Sequence, residues 1–340
     1  MASSLVVQTS FLGDTVLTTP LLAQLANRGP VDVVTTPVSA ALLANHPAVR
    51  AVIAYDKRGA DRGLLGLWRL ARRLRAAHYD VALLAQGSWR SAALTWLARI
   101  PSRIGFASSA GKWLYTKRVP YRDDLHHAAR LLMLARPNGR EPTPDELRPS
   151  LAPGDAERAA VDALLREHDV AADAPLVAVA PGSVWGTKRW PYYPELAREL
   201  DGTARVVVVG SAADTPLAQA IVAAAPSAID ATGRLSLLAS AELLGRCGVL
   251  VTNDSAPMHL ASAMGTPTVA IFGPTVPEFG FGPLAGRASV VGHDALPCRP
   301  CDRHGPQRCP LGHHRCMREL SPSMVAERAR TLLLNPDVLA

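Results

Sequence analysis

The sequence predicts an α/β protein built from two doubly wound, Rossmann-like domains in series, facing a central cleft. Three observations predict it. Short β-branched runs alternate with longer amphipathic stretches along the chain, the pattern of a parallel sheet covered by helices. The alternation stops at residues 137–153, which hold five prolines, Glu141, Asp145 and Glu146 and few apolar side chains, and then restarts. The length, 340 residues, suits two domains of roughly 100–200 residues each.

In the first half the β-branched runs give strands at 5–8, 31–35, 51–55 and 81–85 and a short one near Ile104. Amphipathic stretches between them give helices at 15–27, 38–45, 64–77 and 88–98. After the proline-rich segment a helix at 155–168 leads into the second half. There the strands are 176–180, 205–209, 249–252 and 268–272, and the helices 193–200, 215–224, 237–247 and 256–264. A last helix, 322–334, is free to pack on either domain. The expected division is 1–150, 151–320 with a Cys-rich loop at 297–316, and a C-terminal helical segment at 321–340.

Composition excludes several classes. An apolar fraction of 48% excludes intrinsic disorder, and 28 Pro and 25 Gly without period exclude collagen-like structure. No apolar run approaches the roughly 18–20 residues that span a bilayer, and residues 1–8 lack the features of a secretory signal, so a cytoplasmic location is expected. The formal net charge is +7, and all of it belongs to the first half. Residues 1–170 hold 22 basic and 15 acidic residues, whereas residues 171–340 hold 14 of each. Residues 57–122 carry 14 basic residues against Asp61 and Asp80, a net of +12, together with Trp68, Trp89, Trp96 and Trp113. Arg with Trp suits a lipid headgroup boundary or a stacked nucleic-acid strand. The plainer reading is a solvated basic face with Trp in the core. An anionic partner is the expectation.

Four segments carry candidate chemistry. Strand 5–8 runs into Thr9-Ser10-Phe11-Leu12-Gly13-Asp14, which places an acid at a helix start on the carboxyl edge of the sheet; Asp14 is either a helix cap or a catalytic carboxylate. A single glycine there falls short of a dinucleotide fingerprint. In the second half, Pro181-Gly182-Ser183 through Thr187-Lys188-Arg189-Trp190-Pro191 occupies the same topological position. It offers a glycine, the hydroxyls of Ser183 and Thr187, and cations suited to phosphate oxygens. Asn253-Asp254-Ser255-Ala256 precedes another helix, whose positive end attracts a diphosphate, while Asn253 or Asp254 can accept bonds from sugar hydroxyls; His259 lies one turn on. Last, Cys298-x2-Cys301-x7-Cys309-x6-Cys316, with His304, His313 and His314 interspersed, suggests a structural metal such as zinc, against the alternative of reduced thiols packing an irregular loop. Cys247 stands alone and reads as core.

Residues 11–20, the 181–191 segment, Thr252 through His259, and Cys309-Pro310-Leu311-Gly312-His313-His314-Arg315-Cys316 closely resemble the ADP-heptose:lipopolysaccharide heptosyltransferases of glycosyltransferase family 9, the heptosyltransferase II branch in particular. The resemblance covers nearly the whole chain. It implies a GT-B fold and an ADP-heptose donor held by the second domain. It also implies transfer of L-glycero-D-manno-heptose, with inversion, to the inner core of lipopolysaccharide, with the second heptose added to heptosyl-Kdo2-lipid A. No cofactor is implied for catalysis, so a metal at the cysteines would be structural.

By the same resemblance Asp14 is the general base, Lys188 stands at the donor phosphate and Asp254 at the donor sugar and diphosphate. The donor set then comprises Gly182, Ser183, Thr187, Lys188, Asn253, Asp254, Ser255, Ala256 and His259, and the acceptor set Gly13, Arg69, Arg72 and Arg73. The glycolipid acceptor implies peripheral association with the inner face of the cytoplasmic membrane, which gives the basic, Trp-bearing segment a use. Three alternatives remain: first-heptose transfer, a nucleotide-sugar 2-epimerase of the same architecture, and a basic RNA-binding module. Neither an RNP nor a helix-turn-helix signature is present, so nucleic acid is not an expected partner.

Overall fold

The structure is a computed structural model and describes residues 2–136 and 139–334. The chain divides into two compact units, Met1–Ala152 and Pro153–Ala340.

The first unit contains β1 (Ser4–Gln8), α1 (Leu12–Leu17), α2 (Thr19–Ala26), β2 (Val31–Thr35), α3 (Pro37–Leu42), β3 (Ala51–Ala54) and α4 (Gly63–Ala76). It continues with β4 (Val81–Leu84), α5 (Trp89–Leu97), β5 (Ser102–Phe106), β6 (Lys117–Val119) and α6 (His127–Ala135). Its six strands are all parallel, in the order β3-β2-β1-β4-β5-β6, with Ser4 opposite Val31 on one side and Val81 on the other. Every residue of β1 and β2 is buried, because helices cover both faces of the sheet.

The second unit opens with α7 (Asp155–Glu167), β7 (Leu176–Ala180), α8 (Tyr193–Leu200), β8 (Arg205–Val208), α9 (Thr215–Ala224) and β9 (Ile229–Asp230). Then come α10 (Leu237–Arg246), β10 (Val249–Asn253), α11 (Ala256–Met264), β11 (Thr268–Phe272), β12 (Ala288–Gly292), α12 (Arg315–Arg318) and α13 (Pro322–Leu334). The order is β12-β11-β10-β7-β8-β9, which repeats the first unit's arrangement strand for strand. Helix α13 settles on the second unit: Val325, Ala326, Ala329 and Leu332 are buried in one core with β7, β8, β10 and β11. Residues 335–340 of the expected C-terminal segment lie outside the described residues.

The sequence reading expected neither helix α6 nor strands β6, β9 and β12, and at 15–27, where it expected one helix, two form. Pro20 lies in the first turn of α2 and has no N–H to continue the ladder; the Thr19 hydroxyl donates instead to the Val16 carbonyl, at 2.8 Å. Helix α1 begins at Leu12, three residues ahead of the expected start, which puts Asp14 in its first turn. The core reading of the tryptophans also fails, since Trp68, Trp89, Trp96 and Trp113 are 49–75% exposed. No helix among the described residues is long and apolar enough to cross a membrane.

Candidate active site

In the first unit the strand order reverses between β1 and β4, so the loops leaving their carboxyl ends part and open a crevice. Asp14 stands there, in the first turn of α1. The N-cap is Phe11 and makes no side-chain cap bond, so capping does not account for Asp14. Ser10 Oγ donates to Asp14 Oδ2 at 2.5 Å, and His127 Nε2 lies 3.9 Å from Oδ1. Burial, reinforced by the charge of Arg130, holds the His127 pKa down at about 3, so the ring is neutral at pH 7 and its contact with Asp14 is not an ion pair. Gln8 Oε1 lies 2.7 Å from the same Ser10 hydroxyl, and Gln8 Nε2 donates to Thr18 Oγ1 at 3.2 Å. Behind them Lys57 Nζ donates to the Thr9 carbonyl at 2.7 Å and Gln86 Nε2 to the Thr9 hydroxyl at 2.5 Å. Burial and then the charges of Arg58 and Arg90 lower the Lys57 pKa; Lys57 and Arg58 follow β3 and Arg90 follows β4, on the carboxyl edge that carries Asp14.

The expected acceptor residues are placed differently. Gly13 is buried within α1. Helix α4 connects the carboxyl end of β3 to the amino end of β4, so it runs away from the edge that carries Asp14. Arg72 and Arg73 lie in its second half, toward the opposite edge, and Arg69 at its middle; the trio is not gathered with Asp14. A loop position such as Lys57 gave no periodic signal by which the sequence could have pointed to it instead.

In the second unit the matching crevice lies between β7 and β10. Lys188 is buried and its Nζ is 2.6 Å from Asp254 Oδ2, an oxygen that also accepts from the Thr275 hydroxyl at 2.7 Å. Asp254 Oδ2 therefore aims the cation; the sequence reading placed Asp254 at the donor sugar and diphosphate. Asn253 is fully buried, with Oδ1 accepting from Trp190 N at 3.1 Å and Nδ2 donating to the Pro181 carbonyl at 2.9 Å. Both functions of its amide thus tie together the two ends of the 181–190 loop, and Asn253 is a clamp rather than a sugar ligand. Thr187 is likewise committed, its hydroxyl donating to the Pro306 carbonyl at 2.5 Å. Ser183 Oγ accepts from Trp185 N at 3.3 Å at the loop's opening. Gly182 is needed because a Cβ there would lie 2.3 Å from an Asp214 carboxylate oxygen, a neighbour the sequence did not reveal. Ser255 stands at the N-cap position of α11 without a side-chain cap bond, and Ala256 is the first helical residue, so the positive end of that helix opens beside Asp254. His259 is buried one turn further on, its ring 6.5 Å from that of Phe281.

The Cys-rich segment does not form the expected ligand set. All five cysteines are free thiols, and among the described residues no group of three or more His, Cys, Asp or Glu side chains is arranged to hold a metal ion. Cys316 is buried in the core and Cys298 packs against it, whereas Cys301 is exposed and donates to the Cys298 carbonyl at 3.3 Å. The thiols are still close enough to interact: burial first, then the charges of Cys298 and Cys309, raise the Cys301 pKa. Cys247 is core, as expected, its thiol pushed up to about 12 by burial. The segment's firmest connection is to the Lys188 loop. Pro306 O accepts from Thr187, Gln307 Oε1 from Gly186 N at 3.1 Å, Gln307 Nε2 donates to Val184 O at 3.0 Å, and His314 Nε2 lies 2.8 Å from Thr187 O. Trp185 stacks on His304 at 5.9 Å, and Gly305, at φ 81°, turns the chain where a Cβ would press on Pro274 and Thr187.

Residues 67–309 match glycosyltransferase family 9 (heptosyltransferase). The chain belongs to that family. It is therefore a glycosyltransferase, with two Rossmann-like units of the GT-B kind. Among similar proteins is lipooligosaccharide heptosyltransferase 2 of Haemophilus influenzae, 29% identical over 97% of this chain and 99% of the relative. Lipopolysaccharide heptosyltransferase 1 of Pseudomonas aeruginosa is 31% identical over 98% and 99%. The solved structure of E. coli ADP-heptose lipopolysaccharide heptosyltransferase II superimposes with a TM-score of 0.80 at 26% identity, covering 99% of this chain and 100% of that one. In the first unit Asp14 is a carboxylate able to take a proton, and in the second Lys188 is a fixed cation at a helix N-terminus able to neutralise a phosphate.

Proposed function

We propose that the chain transfers L-glycero-D-manno-heptose from ADP-heptose to the inner core of lipopolysaccharide with inversion, adding the second heptose to heptosyl-Kdo2-lipid A. The observation that carries the reading is Lys188, held at the start of α11 by Asp254, whose carboxylate also accepts from the Thr275 hydroxyl. As the glycosidic bond to ADP breaks, negative charge grows on the β-phosphate, and Lys188, Ser183 and the first turn of α11 stabilise it. Asp14 takes the proton of the attacking hydroxyl. Lys57, Arg58 and Arg90, on the Asp14 side of the first unit, hold the acidic part of the acceptor in place of Arg69, Arg72 and Arg73. No metal is required for the transfer, because a fixed cation does the neutralising. The acceptor is a membrane glycolipid, so the enzyme works at the inner face of the cytoplasmic membrane as a peripheral protein, using its basic, Trp-bearing face.

Mass spectrometry of reactions with ADP-heptose tests the specificity. One heptose should be added to heptosyl-Kdo2-lipid A and none to Kdo2-lipid A. The identity to a heptosyltransferase 1 favours the reverse, and a mass gain on Kdo2-lipid A alone would establish that second reading. Lys188→Ala should lower kcat/KM for ADP-heptose roughly 100- to 1000-fold; an unchanged value removes Lys188 from the site. Transfer should persist in EDTA, and its loss with recovery on adding a divalent cation would overturn the metal-independent scheme.

A further inference from the structure

At the sheet edge opposite Asp14, the first unit has a cavity of about 710 Å³ between the last turns of α4 and α5 and the start of β5. Arg72, Arg75, Arg99 and Arg103 line it, with Trp68 and Trp96 and no acidic residue. Arg72 lies 4.8 Å over the Trp68 ring. Arg103 is braced by the Leu114 and Ile100 carbonyls, at 2.7 and 2.5 Å, and Arg99 turns the chain at φ 57° from α5 toward β5. So many cations with no counter-charge make a site for an anion.

The outer surface of the same two helices identifies what carries that anion. Leu64, Leu65 and Trp68 on α4 and Trp96 and Leu97 on α5 are exposed, from 37% to 78%. The exposed positions of α4 otherwise hold Arg69, Arg72, Arg73, Arg75 and two small residues, and the helix has no acid at all. Aliphatic side chains add nothing to base stacking, but Leu and Trp amid Arg match the depth profile of a bilayer surface, with acyl boundary beside phosphate. We infer that this cavity is an anionic phospholipid headgroup site, and that α4 and α5 lie on the membrane with Trp68 and Trp96 in the interfacial layer. The site is separate from the crevice of Asp14; it deepens the proposed membrane association by giving it residues and a ligand class, and rests on the proposed acceptor only for its purpose.

Vesicle flotation tests it without ADP-heptose or acceptor. Wild type should bind phosphatidylcholine vesicles containing about one-third phosphatidylglycerol, and pure phosphatidylcholine poorly. Arg75→Gln with Arg99→Gln should weaken binding roughly 10-fold or more, while leaving the melting temperature and transfer to a delipidated, water-soluble acceptor unchanged. Brominated lipid should quench the wild type more than Trp96→Phe. Equal binding to neutral vesicles, undiminished binding by the double variant, displacement by millimolar inorganic phosphate, or preference for single-stranded RNA over vesicles would each overturn the proposal. Vesicle binding with no heptosyl transfer would instead count against the function proposed above and leave this site standing.

Discussion

A serine hydroxyl has one proton, and Ser10 has two acceptors within its reach, Gln8 Oε1 at 2.7 Å and Asp14 Oδ2 at 2.5 Å. With Asp14 ionised the proton belongs on the carboxylate. In the proposed transfer, once Asp14 has taken a proton from the acceptor, the hydroxyl turns to Gln8 and receives from the new carboxylic acid, so either protonation state is bonded. Ser10→Ala should therefore lower kcat roughly 10-fold and move the acid limb of the pH–rate profile upward, since a bond to the charged form is lost; an unshifted limb refutes this role. Asp14→Asn should cost roughly 100- to 10,000-fold in kcat with the ADP-heptose KM little changed, and near-normal turnover would end the general-base assignment. His127 makes a separate prediction about stability. Its pKa is about 3 folded against about 6.5 unfolded, so its contribution is fully present above about 6.5 and is lost as the pH falls toward 3, by up to ~1.4 kcal/mol per pH unit. Urea titrations of His127→Gln between pH 7 and 4 should show a shallower slope, with buried His46, also lowered, supplying part of the remainder. Asp14 and Lys188 were legible because each is a charge just past a strand. Gln8, Lys57 and His127 come from β1, the β3–α4 connection and α6, and only folding brings them together.

Between residues and units, the 181–190 loop is a short element with almost no regular structure, and its shape comes from neighbours. Asn253 closes its ends and the Cys-rich segment braces its middle, so Lys188 is aimed by two distant stretches of chain. Gln307→Ala removes the bonds to Gly186 and Val184 and should raise the ADP-heptose KM several-fold with a smaller change in kcat. A fall in kcat alone would show that Gln307 does not position the donor loop. Asn253→Ala strands Trp190 N and the Pro181 carbonyl and should cost about 2–3 kcal/mol in urea unfolding. Spacing alone suggested ligation by the cysteines, because a pattern of Cys and His is the same whether thiols converge on an ion or a loop grips its neighbour through backbone and Gln307. The expected bounds of α8, α11 and α13 matched those observed. The Pro20 break was read through because the apolar pattern continues across it, and β6, β9 and β12 are too short or too polar to announce themselves.

At the scale of the whole chain, the same strand order occurs twice, and each copy places its chemistry at its own reversal point. The +7 charge is not shared in this way: the first unit carries the basic face, and residues 171–340 balance. Under the proposed function the nucleotide belongs to the second unit and the acidic glycolipid to the first, the division that the charge follows. Each unit has its own buried core, so a ligand held by one should raise the opening free energy of that one. ADP at about 100 times its Kd should stabilise by about 2.7 kcal/mol, and hydrogen exchange by mass spectrometry locates where. Amides of β7, β10 and the 181–190 loop should slow, and those of β1, β4 and α4 should not. Equal protection of β1 and β7 would mean that the nucleotide is not held by the second unit alone, and the division of labour read from the charge would fail with it. Anionic vesicles should give the converse pattern, slowing α4 and α5 and leaving β7 and β10 unchanged.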